Sequence, residues 1–482
     1  YGAGVFGTTT YNVLKNSASP RYRVVAFIDD NPFLKNKSVQ NIPVIGGVND
    51  LSSLTSLNVQ EVVLAISPKL ISRKKKDEIA TLLMKQKIVF KVAPETEKWI
   101  DGSFDVSQIK KIQIRDLLTR LPIEMNTERI GDGLENRIVM VTGAAGSIGS
   151  EIVRQICHFP VAHLILIDQA ESALYDLQQE LKQNKVDMDI VCIVADVSNA
   201  SRMRMLFSTL HPEVIFHAAA YKHVPLMEEN PYEAIRVNVG GCRVLSELSV
   251  EYKVRKFVMV STDKAVNPTN VMGASKRICE MYVQALALKG DHQTSFVTTR
   301  FGNVLGSNGS VVPLFEKQIA AGGPITVTDK KITRYFMTIP EACQLVLEAG
   351  FMGKGGEIFL FDMGEPVRIY NMAKKMIRLS GLEPYKDIDI QVTGLRDGEK
   401  LYEELLANAE NTVPTYHEKI MIAKVRTVEY ERVASSVVQM LRDLNVVSDL
   451  TLVQQMKSLV PEFVSNHSKF CSLDKAMMTN NM

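Results

Sequence analysis

The chain has 482 residues and 46% hydrophobic residues, and its 56 Lys and Arg against 54 Asp and Glu give a formal net charge of +2 at pH 7. This length predicts about two to four domains, and the balanced charge argues against a large nucleic-acid-binding face. Six scattered cysteines without a CxxC pair, and the absence of any run of about 18 apolar residues, argue against zinc, disulfides and membrane spans, so we expect a soluble chain in a reducing cytosol.

Residues 1–95 are predicted to form a small doubly wound domain. Tyr1–Gly7 is a GxGxxG turn, which normally follows a buried strand and opens a helix, so we expect that the natural N-terminus is missing. Further strands are predicted at Tyr22–Ile28, Val59–Ile66 and Ile88–Val92. A lone GxGxxG turn is a weak signal for nucleotide binding. A purely structural role is slightly favoured here, and nucleotide binding stays open.

The rest of the chain is predicted to comprise a connector at 96–136, a larger α/β domain at 137–410, and a C-terminal helical extension at 411–482. The larger domain opens with a β-branched strand at 137–142, followed by a glycine-rich turn and a helix at 143–158. The three glycines of this turn permit a sharp bend, close approach to a pyrophosphate and tight packing of helix on strand.

The following strands predict a dinucleotide site, and specifically one for NAD. Asp168 ends the second strand 19 residues after Gly149, where an acid binds ribose hydroxyls and repels a 2′-phosphate. Small side chains after the fourth strand let a cofactor lie against the backbone. The residues that we expect to line the cofactor from this pattern are Gly143, Ala145, Gly146, Ser147, Ile148, Gly149, Asp168, Asp196, Val197, Ala218, Ala219 and Ala220.

The spacing of Gly143, Gly146 and Gly149 resembles that of the extended short-chain dehydrogenase/reductase superfamily. The strings HAAAYKHVPLME at 217–228 and TDKAVNPTNVMGASKR at 262–277 narrow the resemblance. Across essentially its whole length the chain resembles the membrane-associated, CapD-like nucleotide-sugar 4,6-dehydratases of bacterial polysaccharide and protein-glycan synthesis. The resemblance implies an α/β fold with two Rossmann-like doubly wound parallel-sheet domains, the second an extended dehydrogenase/reductase fold with a small α/β substrate lobe, and NAD as cofactor.

The superfamily's catalytic helix is altered in this chain. Members usually carry Tyr-x-x-x-Lys, in which residues four apart share one helix face and the lysine lowers the pKa of the tyrosine. Here Met272 occupies the tyrosine position and Lys276 the lysine position. A thioether cannot transfer a proton, so either the site is inactive or the task has passed to Thr262, a water or the bound sugar.

The resemblance also implies an acid and a base. Related soluble dTDP-glucose dehydratases carry Thr-Asp-Glu where this chain has Thr262, Asp263 and Lys264. We expect Asp263 to protonate the departing hydroxyl at carbon 6 and Lys264 to remove the proton at carbon 5. These roles need a protonated acid and a neutral amine, so burial must raise the pKa of Asp263 and lower that of Lys264. The alternative is an ordinary solvated charge pair. The candidate catalytic residues are Thr262, Asp263, Lys264, Met272 and Lys276.

Further ligand contacts follow from the resemblance alone. It places Lys222, Asn238 and Lys276 beside the cofactor. On the substrate side the residues are Tyr221, Lys222, Asn303, Arg334, Arg396 and Glu399. Arginine's rigid fork suits bidentate binding of a diphosphate, although each arginine alone is more often a surface residue. His217 and His223 lack partners at metal-ligand spacing, so we expect no metal and assign both a structural role.

The implied function is NAD-dependent 4,6-dehydration of UDP-N-acetylglucosamine to the UDP-4-keto-6-deoxy sugar, a lyase reaction. One alternative is a nucleotide-sugar 4-epimerase, which returns the hydride to carbon 4 and needs no acid at carbon 6. The other is a non-catalytic NAD-binding sensor or assembly subunit, which Met272 would suit. The sequence does not decide between acetylglucosamine and acetylgalactosamine as the substrate sugar, because the two differ in the orientation of one hydroxyl, which the shape of the pocket recognises.

The resemblance further implies a homo-oligomer that acts on a UDP-N-acetylhexosamine and binds no nucleic acid. It implies N-terminal membrane helices, absent from this chain, that hold the full-length protein at the cytoplasmic side of the bacterial inner membrane. The chain as given is expected to be soluble.

Overall fold

The computed structural model describes residues 1–17, 22–67, 70–94, 99, 104–118, 123, 125–184, 186, 188–404 and 411–474. The domain limits predicted at 95/96 and at 410, and the end of the chain after 474, lie outside the described residues.

Cα packing divides the chain into two compact units. The first comprises Tyr1–Ile123, Gly309–Val327 and Tyr370–Gln391, and the second comprises Glu124–Asn308, Thr328–Ile369 and Val392–Met482. Two segments of the domain predicted at 137–410 therefore group with the N-terminal residues. Within the first unit, Leu379 packs against the N-terminal hydrophobic core, and Lys375 forms an ion pair with Asp77. These contacts join residues that lie far apart in the chain.

The first unit contains a small sheet with helices around it. Its helices up to residue 118 are α1 (Val5–Asn16), α2 (Arg73–Lys85) and α3 (Ile114–Leu118). Its strands up to residue 118 are β1 (Ser38–Val39), β2 (Ile42–Pro43), β3 (Glu61–Leu64), β4 (Val89–Val92) and β5 (Lys110–Lys111). Strands β3 and β4 pair in parallel, whereas β5 is antiparallel to β4.

Hydrogen bonds place the start of the chain beside β3. The amino group of Tyr1 donates to the carbonyl of Val63, and Gly2 N–H donates to the carbonyl of Ile28. The strands predicted at Val59–Ile66 and Ile88–Val92 are confirmed as β3 and β4. The strand predicted at Tyr22–Ile28 is not formed as such, because a single bridge between Phe27 and Val44 is its only strand pairing among the described residues.

The remaining elements follow in chain order. The helices are α4 (Thr127–Leu134), α5 (Ser147–Ile156), α6 (Glu171–Gln183), α7 (Ala200–Leu210), α8 (Val224–Glu229), α9 (Pro231–Glu233), α10 (Gly241–Glu251), α11 (Val271–Lys289), α12 (Val311–Ala320), α13 (Ile339–Met352), α14 (Ile369–Leu379), α15 (Tyr430–Asp443) and α16 (Asp449–Leu459). The strands are β6 (Ile138–Thr142), β7 (His163–Asp168), β8 (Ile190–Val194), β9 (Val214–His217), β10 (Lys256–Val260), β11 (Ser295–Arg300), β12 (Asn303–Leu305), β13 (Ile325–Val327), β14 (Thr333–Arg334), β15 (Phe336–Thr338), β16 (Glu357–Phe361), β17 (Val367–Arg368), β18 (Ile390–Val392), β19 (Asn411–Pro414) and β20 (Ile420–Lys424).

A sheet of nine strands forms the core of the second unit, in the order β19-β20-β16-β11-β10-β9-β6-β7-β8. The strands from β16 to β8 pair in parallel, and β20 and β19 add an antiparallel edge. Parallel strands covered on both faces are apolar throughout, as the fully buried Val139–Val141 shows. The expected doubly wound α/β fold is confirmed.

The segment predicted as a C-terminal helical extension differs from that expectation. It begins with β19 and β20, because Ile420 and Ala423 are buried against β16. Helices α15 and α16 follow, and their apolar residues join the core around α11. The two helices thus pack against the helix that carries Met272 and Lys276. None of the helices in the described residues is both long and apolar enough to span a bilayer.

Candidate active site

The carboxyl ends of the parallel strands bring the predicted site residues to one edge of the sheet. The glycine-rich turn follows β6, Asp168 ends β7, His217 ends β9, and Thr262 lies just beyond β10. Ligands of open α/β sheets bind at this edge, in the crevice where the strand order reverses. Here that reversal falls between β6 and β9, next to the predicted cofactor turn.

The turn after β6 fits the phosphates of a dinucleotide. Gly143 has φ of +66°, and a β-carbon there would lie 2.6 Å from the backbone nitrogen of Ala219. A β-carbon at Gly149 would lie 2.0 Å from the carbonyl oxygen of Gly143. Gly146 precedes α5, and no described side chain caps that helix start, so its N–H groups are available to an anion.

Asp168 lies where a ribose-binding acid is expected. Its Oδ2 accepts a hydrogen bond of 2.9 Å from the N–H of Ala145, and its Oδ1 accepts one of 2.9 Å from the N–H of Ala170. The carboxylate is therefore oriented at the mouth of the glycine turn. Ser147 and Ile148 form the first turn of α5, and Ala218 donates its N–H to the carbonyl of Thr142. These residues fit NAD.

Asp196, one of the predicted cofactor residues, is occupied by internal hydrogen bonds. Asp196 accepts from Arg236 Nη1 at 2.7 Å and from Ser198 Oγ at 2.8 Å, and these groups hold the pKa of Asp196 below its usual value against the effect of burial. Val197 beside it is buried. Asp196 thus anchors the end of β8 to the helical segment that contains Arg236.

Asn238 is a buried positioning residue. Its Oδ1 accepts from the N–H of Tyr221 at 2.8 Å, and its Nδ2 donates to the carbonyl of Tyr221 at 3.1 Å and to Ser275 Oγ at 2.9 Å. These bonds fasten the loop after β9 to α11. The Tyr221 hydroxyl in turn accepts from Gln169, whereas Lys222 is exposed.

Met272 and Lys276 lie four residues apart on α11 and are both buried, at 3% and 5% exposure. This spacing puts them on one face of the helix, as the superfamily pattern requires. His217 lies nearby, and its Nδ1 shares a hydrogen bond of 2.8 Å with Thr142 Oγ1. Burial, reinforced by the charge of Lys276, lowers the pKa of His217 to about 3, so this histidine is neutral and structural at physiological pH.

Thr262, Asp263 and Lys264 form a compact acid–base cluster after β10. Asp263 begins a short 3-10 turn and is fully buried. Its Oδ1 accepts hydrogen bonds of 3.0 Å from both Thr262 Oγ1 and Lys264 Nζ. Its Oδ2 is buried and has no hydrogen-bond partner among the described residues. Burial, with the added repulsion of Glu403, raises the pKa of Asp263 despite the attraction of Lys264, which is the direction expected.

Lys264 does not behave as expected. Its Nζ lies 3.0 Å from Asp263 Oδ1, 3.3 Å from Asn303 Oδ1 and 3.5 Å from Glu403 Oε1. Burial alone would lower the pKa of the amine, but the attraction of Asp263 and Glu403 outweighs burial and raises it. The expectation of a lowered pKa is therefore wrong for the free chain, in which Lys264 is an ammonium ion.

Glu403 is the site residue that the sequence did not reveal. Its side chain is 3% exposed, and its Oε1 lies 3.5 Å from Lys264 Nζ and 3.6 Å from Arg334 Nε. Burial would raise the pKa of Glu403, but the charges of Lys264, Arg334 and Lys400 lower it. The only sequence signal was its place in the string LRDGEKLYEE at 395–404, directly after the predicted Arg396 and Glu399.

Of the predicted substrate residues, three arrive at the cluster, namely Asn303, Arg334 and Glu399. Asn303 contacts Lys264, and Arg334 contacts both Glu403 and, at 3.1 Å through Nη2, Glu399 Oε1. The side chain of Arg396 is exposed, and its backbone N–H donates to Glu399 Oε2. The structure thus joins β10, β12, β14 and the 395–404 segment around one buried acid.

Comparison with known proteins identifies the family. Residues 139–425 match the family described as "Polysaccharide biosynthesis protein". The chain is 44% identical over 430 residues, 88% of this chain and 71% of the relative, to the capsular polysaccharide biosynthesis protein CapD of Staphylococcus aureus. The chain therefore belongs to the polysaccharide biosynthesis protein family. The family match over residues 139–425 spans the glycine turn, the acid–base cluster and Glu403.

Relatives of this chain at lower identity include proteins with two different named activities. The chain is 31% identical over 276 residues to a UDP-N-acetylglucosamine 4,6-dehydratase (inverting) of Campylobacter jejuni, covering 57% of this chain and 78% of that protein. It is 33% identical over 281 residues to a UDP-glucose 4-epimerase of Rickettsia canadensis, covering 57% and 79%.

The X-ray structure of Pen from Bacillus thuringiensis superposes with a TM-score of 0.56 at 30% identity, covering 64% of this chain and 98% of that one. The chain therefore has the extended short-chain dehydrogenase/reductase fold and a role in polysaccharide biosynthesis. The named activities of its relatives include both dehydration and epimerisation.

Proposed function

We propose that this chain catalyses the NAD-dependent 4,6-dehydration of UDP-N-acetylglucosamine to the UDP-4-keto-6-deoxy sugar, for bacterial surface polysaccharide or glycoprotein glycan synthesis. The observation that carries the proposal is the fully buried carboxyl group of Asp263 at the predicted cofactor edge of the sheet. Its raised pKa favours a protonated acid, which loss of water from carbon 6 requires and which epimerisation at carbon 4 does not.

NAD would supply temporary storage for the hydride of carbon 4. Asp263 is proposed to donate a proton from Oδ2 to the hydroxyl of carbon 6, so that this oxygen leaves as water. Oδ2 suits this role, since Oδ1 already accepts from Thr262 and Lys264 while Oδ2 has no partner among the described groups. Once carbon 4 is a ketone, the proton on carbon 5 becomes acidic.

Lys264 is the proposed base at carbon 5. Because the free chain holds it as an ammonium ion, it must first release a proton to solvent as the sugar binds. Exclusion of water by the bound sugar then favours the neutral amine, because burial penalises charged groups.

The missing tyrosine leaves the proton of the carbon 4 hydroxyl to be accounted for. Thr262 is proposed to relay it, since its hydroxyl already lies in the cluster and donates to Asp263. Lys276, buried on the same face of α11 as Met272, is proposed to orient the nicotinamide ribose and to supply positive potential.

The substrate class follows from the printed activities of the relatives and from the cationic side chains near the cluster. Both named activities concern UDP-sugars, and the dehydratase relative acts on UDP-N-acetylglucosamine. Arg334 is the proposed phosphate or ribose ligand, together with Arg396, Asn303 and Tyr221. A homo-oligomer stays a prediction.

A nucleotide-sugar 4-epimerase is the second candidate, since a relative of comparable identity bears that name. Mass spectrometry after incubation with UDP-N-acetylglucosamine and NAD separates the candidates. The proposal expects a product lighter by one water, an epimerase gives an isomer of unchanged mass, and a non-catalytic subunit gives no product. The Asp263→Asn variant should bind NAD and form no dehydrated product; a variant with normal turnover would refute the assigned acid.

A further inference from the structure

The two carboxyl groups that share Lys264 have unequal surroundings. Within the described chain, Asp263 has a single cation in ion-pair range, Lys264 at 3.0 Å. Glu403 lies between two, Lys264 at 3.5 Å and Arg334 at 3.6 Å, and the charge of Lys400 also acts on it. The side chain of Asp263 is fully buried, and that of Glu403 is 3% exposed. A proton shared by the pair is therefore held more tightly by Asp263.

Charge balance around the lysine favours such a proton. Arg334 also contacts Glu399, so the connected cluster contains three carboxyl groups and two cations. Lys400 adds no net charge to this cluster, because it pairs with Glu404 at 2.9 Å. If every group were ionised, one negative charge would remain uncompensated in a largely buried site, which is costly. One proton makes the cluster neutral, and two carboxyl groups that face one cation titrate as a coupled set.

We propose that Glu403 is a positioning residue whose carboxylate, paired with both Lys264 and Arg334, fixes the proton of the cluster on Asp263. The inference rests on the proposed function for its catalytic meaning. Lys264 would otherwise pair with Asp263 alone and ionise it, leaving no acid for carbon 6. Glu403 thereby allows Asp263 to stay protonated beside the ammonium group of Lys264.

The protonation state can be measured without substrate. The infrared spectrum of the wild-type chain at neutral pH should contain a protonated-carboxyl band that Asp263→Asn removes. Glu403→Gln should remove the same band, because Asp263 becomes the only carboxylate paired with Lys264. Glu404→Gln is the matched control, since Glu404 is 42% exposed and its ion-pair partner is Lys400 rather than Lys264 or Arg334. This variant should keep the band.

A band that persists in Glu403→Gln, or that is absent from the wild type, would overturn the inference. Thermal unfolding of each variant confirms that it is folded, and Gln has nearly the shape of Glu. Since this measurement needs no turnover, it still decides the placement of the proton if no UDP-sugar is dehydrated, an outcome that would instead refute the proposed function.

The pH dependence of turnover distinguishes proton placement from a purely structural effect. Activity that needs protonated Asp263 disappears as pH rises through the pKa of Asp263. Removing the negative charge of Glu403 lowers that pKa, so the alkaline limb of kcat in Glu403→Gln should move to lower pH by about one unit, a tenfold loss on that limb. KM should change little, and Glu403→Asp, which keeps the charge, should restore part of the limb. A uniform loss at all pH values would contradict the inference.

Discussion

Replacing Asn238 with Leu tests whether this residue positions the site or touches the cofactor. The substitution keeps the side chain's approximate size but removes three hydrogen bonds, two to the backbone of Tyr221 and one to Ser275. Each such bond contributes about 1 kcal/mol, so the free energy of unfolding should fall by about 3 kcal/mol. Most of this cost comes from polar groups left unsatisfied in a site where Asn238 itself is 1% exposed.

The free energy of unfolding is measured by urea denaturation of the whole chain, followed through a signal from the second unit. NAD binding to the same variant is measured by titration. Asn230→Leu is the control, since Asn230 is exposed and its side chain donates one hydrogen bond, to Leu226, among the described residues. The control should lose about 1 kcal/mol or less. A destabilisation of Asn238→Leu no larger than the control's, accompanied by complete loss of NAD binding, would refute the positioning role and assign Asn238 a direct cofactor contact.

Three further variants test the turn, the core and the base. Gly149→Ala should abolish NAD binding and cost about 3 kcal/mol or more in unfolding, because its β-carbon would lie 2.0 Å from the rigid carbonyl of Gly143; near-normal NAD titration and stability would contradict this. Glu280→Gln should destabilise the chain by about 3–5 kcal/mol in urea, since it removes the carboxylate charge that lies 2.7 Å from buried Arg300. The wild type should lose the same stabilisation as pH falls below about 4.5 through the lowered pKa of Glu280. A wild-type stability that does not change with pH in this acid range would contradict the prediction. Lys264→Met should end water loss while NAD stays bound, and substantial remaining turnover would exclude Lys264 as the base.

The parts of the fold set by local pattern were predictable from sequence. A β-branched run followed by a glycine turn and a helix specified β6 and α5 closely, and the apolar run ending in Asp168 specified β7. Strands β19 and β20 were missed because they join the sheet through the pairing of β20 with β16, which lies more than fifty residues before β20 in the chain. Residues 411–424 also carry little strand periodicity of their own.

The candidate site was predictable in its members but not in its charge state. Adjacent Asp263 and Lys264 were identifiable from one string, and their burial followed from the strand before them. Glu403 lies 140 residues after Asp263, so only the folded chain shows that it faces the same lysine. Without that third group the direction of the Lys264 pKa shift was predicted wrongly, since a pKa depends on all nearby charges and not on burial alone.

The tertiary structure also gives the predicted cofactor residues different tasks. Gly143 and Gly149 shape the turn through backbone contacts, whereas Asp196 and Asn238 are engaged with protein groups and hold neighbouring segments in place. Sequence position alone does not distinguish a residue that contacts a ligand from one that supports such a residue, because both lie on the same segments after the strands.

The most direct test uses UDP-N-acetylglucosamine labelled with deuterium at carbon 4. The product, analysed by mass spectrometry and NMR, should have lost one water and should carry the label at carbon 6, because the hydride taken from carbon 4 returns within the same molecule. An isomer that keeps its deuterium at carbon 4, or a substrate recovered unchanged, would contradict dehydration as the reaction of this chain.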